Sequence, residues 1–122
     1  MLKLYDYLDD VLREHDDRKW FYETRLNFFA NDVMEKLEIT DRIEMEAALN
    51  RTFNALRSLQ ISPEMHFKRV YCFNDQGLDM DFKISSFACY LLIVNSNPRN
   101  DRVALAQLYF AMNQQGLVEN IE

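Results

Sequence analysis

Two glycines and two prolines in 122 residues leave little material for sharp turns. A sandwich or barrel of many short strands needs a turn former every few residues, so this scarcity points to helices with few, long connections. Hydrophobic residues make up 48% of the chain and aromatics 13%, enough for a packed core and too much for a disordered chain. The length is that of one domain, and we read residues 1–122 as a single unit.

Charge excludes a second group of classes. Twenty acidic residues outweigh fourteen basic ones, for a net charge of −6, which disfavours bulk attraction to nucleic acid or to an anionic membrane. The imbalance lies in residues 1–50, with 13 acids against 7 bases, whereas residues 51–102 hold 7 bases against 5 acids. The longest apolar run, residues 87–94, is far short of the roughly 20 residues that span a bilayer. Asp6, Asp9 and Asp10 interrupt any signal-peptide pattern, so a cytoplasmic location is expected. Cys72 and Cys89 are too few for a disulfide scaffold and read as apolar thiols.

The hydrophobic periodicity predicts about five helices around a small antiparallel hairpin, an α+β fold that is mainly α. Leu4, Leu8, Val11 and Leu12 mark an accessory N-terminal helix over residues 2–15. A short strand over residues 20–22 would add a third strand. Leu26, Phe29, Ala30, Val33 and Leu37 mark a second helix, and Asp41 caps a third whose apolar stripe is Met45, Leu49, Phe53, Leu56 and Leu59, ended by Ser62-Pro63. Residues 67–73 and 78–84 form the hairpin, turning through Asn74-Asp75-Gln76-Gly77, with Leu78, Met80, Phe82 and Ile84 on its buried face. Ser85 and Ser86 cap a buried helix over residues 87–94. A last helix over residues 101–115 buries Val103, Ala106, Tyr109, Phe110 and Met112, with Gly116 as its stop. Residues 117–122 form a short tail, whose Leu117, Val118 and Ile121 could seal a homodimer.

Chemistry of the familiar kinds is missing from the sequence. There is no phosphate-binding glycine loop, paired metal-ligand spacing or nucleophile elbow, so neither a cofactor nor an enzymatic activity is expected. Asp79 and Asp81 share a strand face and could hold a hard cation, but alternation alone accounts for them. His66 reads as a surface residue at the hairpin entry, and Ser85 and Ser86 as caps with no histidine beside them. One polar strip stands out: Asn50, Arg51, Asn54 and Arg57 fall along one side of the third helix, and Asn and Arg are the side chains that read base edges. Lys68 and Arg69 would extend it. Helix, turn and helix resemble a DNA-reading unit in outline, although three acids open the same helix.

The last third carries more specific information. Lys83-Ile84-Ser85-Ser86-Phe87-Ala88-Cys89-Tyr90-Leu91 is followed by Asn95-Ser96-Asn97-Pro98-Arg99, then Val103-Ala104, Gln107 and Tyr109-Phe110-Ala111 with Gln114. This series resembles the DNA-damage-inducible protein D family and the related N-terminal domain of BRO-type phage and viral proteins. The resemblance is specific over residues 83–115 and weaker over residues 20–73. Ser96 stands where the family often has glycine, and Asn113-Gln114-Gln115-Gly116 replaces a basic ending. Within the shared series Ser86, Phe87, Ala88, Cys89, Tyr90, Leu91, Pro98, Tyr109, Phe110 and Ala111 read as structural residues, with residues 87–91 and 109–111 packing together.

The resemblance implies a non-enzymatic regulator in a bacterial or prophage DNA-damage (SOS) response, acting by protein contact, with a RecA-type recombinase filament as one partner. Activities that reside in the longer members' extensions do not carry over. The acidic face of residues 1–50 is a candidate surface, since it can compete with DNA phosphates for a basic groove. The alternatives are a DNA-binding regulator or antirepressor using Asn50, Arg51, Asn54 and Arg57, and a homo-oligomeric assembly module.

Overall fold

The computed structural model describes residues 2–13, 20 and 25–113. Its architecture is α+β and mainly α. Helices α1 (Leu2–Leu12), α2 (Ala30–Lys36), α3 (Arg42–Ser58), α4 (Ser86–Val94) and α5 (Asp101–Asn113) accompany a three-stranded antiparallel sheet of β1 (Phe28–Phe29), β2 (Phe67–Asn74) and β3 (Gly77–Ile84). The strand order is β1-β3-β2. No helix among the described residues is long and apolar enough to cross a membrane.

The core gathers around α4. Phe87, Ala88, Cys89, Leu92 and Ile93 are buried, because nine consecutive residues with almost no polar side chain leave α4 no face to give to water. Leu4, Leu8 and Val11 of α1 and Val103, Ala106 and Phe110 of α5 close over it. The α1–α5 seam is fastened where Tyr5 and Tyr109 stack at 5.0 Å and the Tyr109 hydroxyl donates to Asp9.

Several expectations need correction. Residues 21 and 22 of the expected first strand lie outside the described residues; the third strand is Phe28–Phe29, paired with Ile84 and Lys83. Leu26 and Phe29 therefore precede α2, which begins at Ala30 because Phe29 is extended. In α3 the fully buried line is Ala48, Thr52 and Leu56; Met45, Leu49 and Phe53 flank it half-buried, and Leu59 is exposed. Small residues let α3 lie close on α4, and the Thr52 hydroxyl is satisfied within the helix by the Ala48 carbonyl at 2.8 Å. On α5 Met112 is exposed. The stop at Gly116, the tail and its homodimer seal lie outside the described residues.

The end of α3 is not set by Pro63. The helix stops at Ser58, and the chain turns through Gln60 at φ +60°, with Ile61 N–H donating to Leu56 O and Gln60 N–H to Arg57 O. The end of α2 repeats the arrangement with Glu38 at φ +55°, Ile39 bonding Met34 O and Glu38 bonding Glu35 O. This closing motif usually carries glycine, since a side chain is strained at positive φ. Gln60→Gly is accordingly expected to stabilise the fold by about 1 kcal/mol. Urea unfolding would show a later midpoint at unchanged slope; an earlier midpoint would contradict the reading.

The hairpin departs most from expectation. β2 and β3 pair along their whole length, from Phe67 opposite Ile84 to Asn74 opposite Gly77. Asp75 and Gln76 make the turn, the Asn74 side chain accepts from Gln76 N–H at 2.8 Å, and Gly77 takes φ +108°. Only the base is covered. Ile84 and Phe67 are buried and Phe82 half-buried, while every residue from 71 to 80 is exposed. Alternation put Leu78 and Met80 on the apolar face, but the helices beneath reach only as far as Phe82. The outer half of the hairpin stands free of the body.

Candidate functional site

The structure divides the polar strip of α3. Asn50, Arg51, Asn54 and Arg57 are all exposed. Arg51 turns toward the α4–α5 loop, where its Nε donates to the Asn95 carbonyl at 2.8 Å. A guanidinium there suits the negative end of α4. Arg57 turns the other way. It lies 6.0 Å from the Phe53 ring centroid and donates to Asn54 Oδ1 at 3.4 Å. Arg69 sits 5.8 Å from the Phe82 ring, whereas Lys68, next along β2, projects from the opposite sheet face. Of the six residues expected to act together, Arg57 and Arg69 alone line one groove.

That groove holds about 330 Å³ between the C-terminal half of α3 and the base of the hairpin. Its floor is an aromatic triad. Phe53 meets Phe67 at 4.8 Å and Phe82 at 6.0 Å, and Phe67 meets Phe82 at 5.8 Å, all edge to face. Arg57 and Arg69 stand on the rim with Glu64, whose carboxyl is held below the usual range by the Ser62 hydroxyl. Periodicity alone puts Phe53 and Phe82 in the core and does not reveal the groove. The groove's signal was present in two Arg–Phe spacings, Phe53/Arg57 on a helix and Arg69/Phe82 across a ladder.

The acids do not gather in one place. Glu38, Asp41 and Glu44 line a cleft of about 300 Å³ with Arg99. Asp10 pairs with Arg13 at 2.7 Å and Asp9 is held by Tyr109. Asp81 is a tie between elements, its Oδ1 accepting from Asn31 N–H at 3.0 Å and Phe82 N–H at 2.7 Å. Its first bond satisfies a donor at the start of α2 from outside the helix. Burial raises its pKa, and the nearby carboxylates of Asp32 and Asp79 add to the rise. Among the described residues no three His, Cys, Asp or Glu side chains converge as metal ligands.

His66 is fully buried, against the expectation of a surface residue, and its Nδ1 lies 2.6 Å from Ser85 Oγ. A histidine therefore does stand beside this serine. The pair is structural: both residues are wholly shielded from water, and Ser85 Oγ also accepts the Ala88 N–H as the cap of α4. Ser86 is no cap; its Oγ accepts from Trp20 Nε1 at 2.7 Å. These contacts explain why the Ser-Ser-Phe-Ala-Cys-Tyr-Leu segment is dense in packing residues. Pro98 and Ala111 are exposed, so packing does not account for them.

Cys89 is buried 3.7 Å from the Tyr7 hydroxyl, and burial pushes its thiol up to about 12. Cys72 is exposed on the hairpin. Since the thiolate is the reactive form, a thiol reagent at pH 8 is expected to label one cysteine per chain in the native protein and two in denaturant. Labelling of Cys89 in the native state would refute the buried placement.

No family model matches the chain, and neither does a curated protein or a solved structure.

Proposed function

We propose that this protein is a regulator that works by protein–protein contact, docking a partner segment in the groove between α3 and the hairpin. The observation that carries the reading is the aromatic floor of Phe53, Phe67 and Phe82 rimmed by Arg57 and Arg69. A floor whose Phe53 and Phe82 are half-buried accepts apolar anchors, and two guanidiniums select a carboxylate beside them. The partner segment is therefore apolar and acidic. Resemblance to the DNA-damage-inducible protein D family supports a setting in a bacterial or prophage DNA-damage response, with a RecA-type recombinase on DNA as the partner to test first.

Direct DNA contact is the second reading. It is favoured by the meeting of two arginines over aromatic rings, which also suits a stacked base and its phosphate. Retention of the protein on recombinase-coated single strands, bare single strands and duplex, followed across a salt series, separates the two. The docking reading expects retention on the coated strand alone and its loss in Arg57→Glu. Salt-sensitive retention on bare DNA, abolished by Arg57→Ala/Arg69→Ala, would replace it with the DNA reading. No retention on any of the three would overturn the recombinase assignment.

A further inference from the structure

The free half of the hairpin offers a second surface, which shares Arg69 with the groove. β2 is the outer strand of the sheet, since β3 lies between it and β1. Its eight residues are an edge without proline. Opposite residues in an antiparallel pair share a face, so Arg69, Tyr71 and Phe73 lie on one face with Phe82, Met80 and Leu78. Phe73 is 85% exposed and Tyr71 60%. Long apolar edges of this kind invite another strand.

The order of side chains along β2 identifies that strand. Its cations, Lys68 and Arg69, lie at the base, its exposed aromatics Tyr71 and Phe73 toward the tip, and it contains no acid. Laid parallel on itself, the strand would set like charges side by side. Turned end over end, it sets each cation against the other copy's uncharged end. With Tyr71 on the two-fold axis, Arg69 faces Phe73 of the other copy, Lys68 faces Asn74 and Val70 faces Cys72. A guanidinium against a Phe ring is a favourable contact, and the apolar faces of both hairpins become continuous. Registers shifted further toward the base would drive the other copy's tip against the buried Phe67 and the turn at Pro63–Met65.

We infer that β2 pairs antiparallel with β2 of a second copy of this chain, forming a symmetric dimer along residues 68–74. The interface is isologous, so one substitution changes it twice. Phe73→Lys puts a cation opposite Arg69 at both ends, whereas Phe73→Lys combined with Arg69→Glu restores two attractive pairs. Within one strand positions 69 and 73 are about 13 Å apart, so the rescue cannot arise inside a single chain.

Sedimentation velocity from low micromolar to submillimolar concentration tests this on the full chain. The expected result is a species of twice 14.6 kDa, its loss in Phe73→Lys and its return in Phe73→Lys/Arg69→Glu. Cys72 reports the geometry directly: a short bismaleimide is expected to join two native copies, and Cys72→Ser to abolish the product. Circular dichroism of each variant checks that the exposed substitutions leave the fold intact. A monomer at every concentration would overturn the dimer. A Phe73→Lys dimer, or a folded double variant that stays monomeric, would overturn the β2 pairing.

Discussion

Trp20→Ala is expected to cost about 3–5 kcal/mol, a large share of the 5–15 kcal/mol that holds a domain of this size together. Trp20 is buried, packs edge-on against Phe87 at 5.2 Å, lies tilted against Tyr90 at 5.3 Å, and donates its indole N–H to Ser86 Oγ. Truncation opens a ring-sized void against the centre of α4 and leaves the Ser86 hydroxyl without this donor. Trp20→Phe keeps an aromatic ring and loses the hydrogen bond, so its cost is expected to be less than half as large. Thermal unfolding followed by far-ultraviolet circular dichroism checks both, because Trp20 is the chain's one tryptophan and fluorescence would vanish with it. A loss below about 1 kcal/mol for Trp20→Ala would show that the indole does not bear on α4 as described.

Ser85→Ala is expected to cost about 2–4 kcal/mol, more than an ordinary helix cap. The capping bond to Ala88 N–H accounts for about 1 kcal/mol. The remainder comes from taking a hydrogen-bond partner away from the buried His66 ring, which costs more than the bond's own net value because water cannot replace it. His66→Phe keeps an aromatic ring, somewhat larger than the imidazole, and removes the polar demand. The double variant Ser85→Ala/His66→Phe is therefore expected to be more stable than the two separate losses imply, with a coupling of at least about 0.5 kcal/mol. Strict additivity in denaturant unfolding would mean that the two side chains do not depend on each other.

His66 also shows where reading along the chain failed. With Lys68 and Arg69 as sequence neighbours it had the surroundings of a surface residue. What buries it is the 3-10 turn at Pro63–Met65, which leads the chain inward, so that Ser85 N–H bonds the His66 carbonyl at 3.1 Å and Phe87 covers the ring at 5.5 Å. Those contacts join segments about twenty residues apart, and periodicity carries no trace of them. Phe53 and Phe82 failed in the opposite sense. Each sits on a correct apolar stripe, yet the stripe continues past the edge of the body, so both stay half-buried and form a groove.

Element types and their order follow from residues read along the chain. The scarcity of turn formers selected helices, Asp41 and Ser85 stood as caps where α3 and α4 begin, Asn74 to Gly77 made the hairpin turn, and the apolar run of residues 87–94 became the centre of the core. These are local matters, decided by backbone preference and by the chemistry of side chains within one turn of each other. Which apolar residues stay in water follows instead from packing between elements. β3 alternates without a break from Leu78 to Ile84, but the helices end beneath Phe82, so identical chemistry is core at one end and open surface at the other. Burial depends on how far neighbouring elements extend in space, and no window along one strand contains that length.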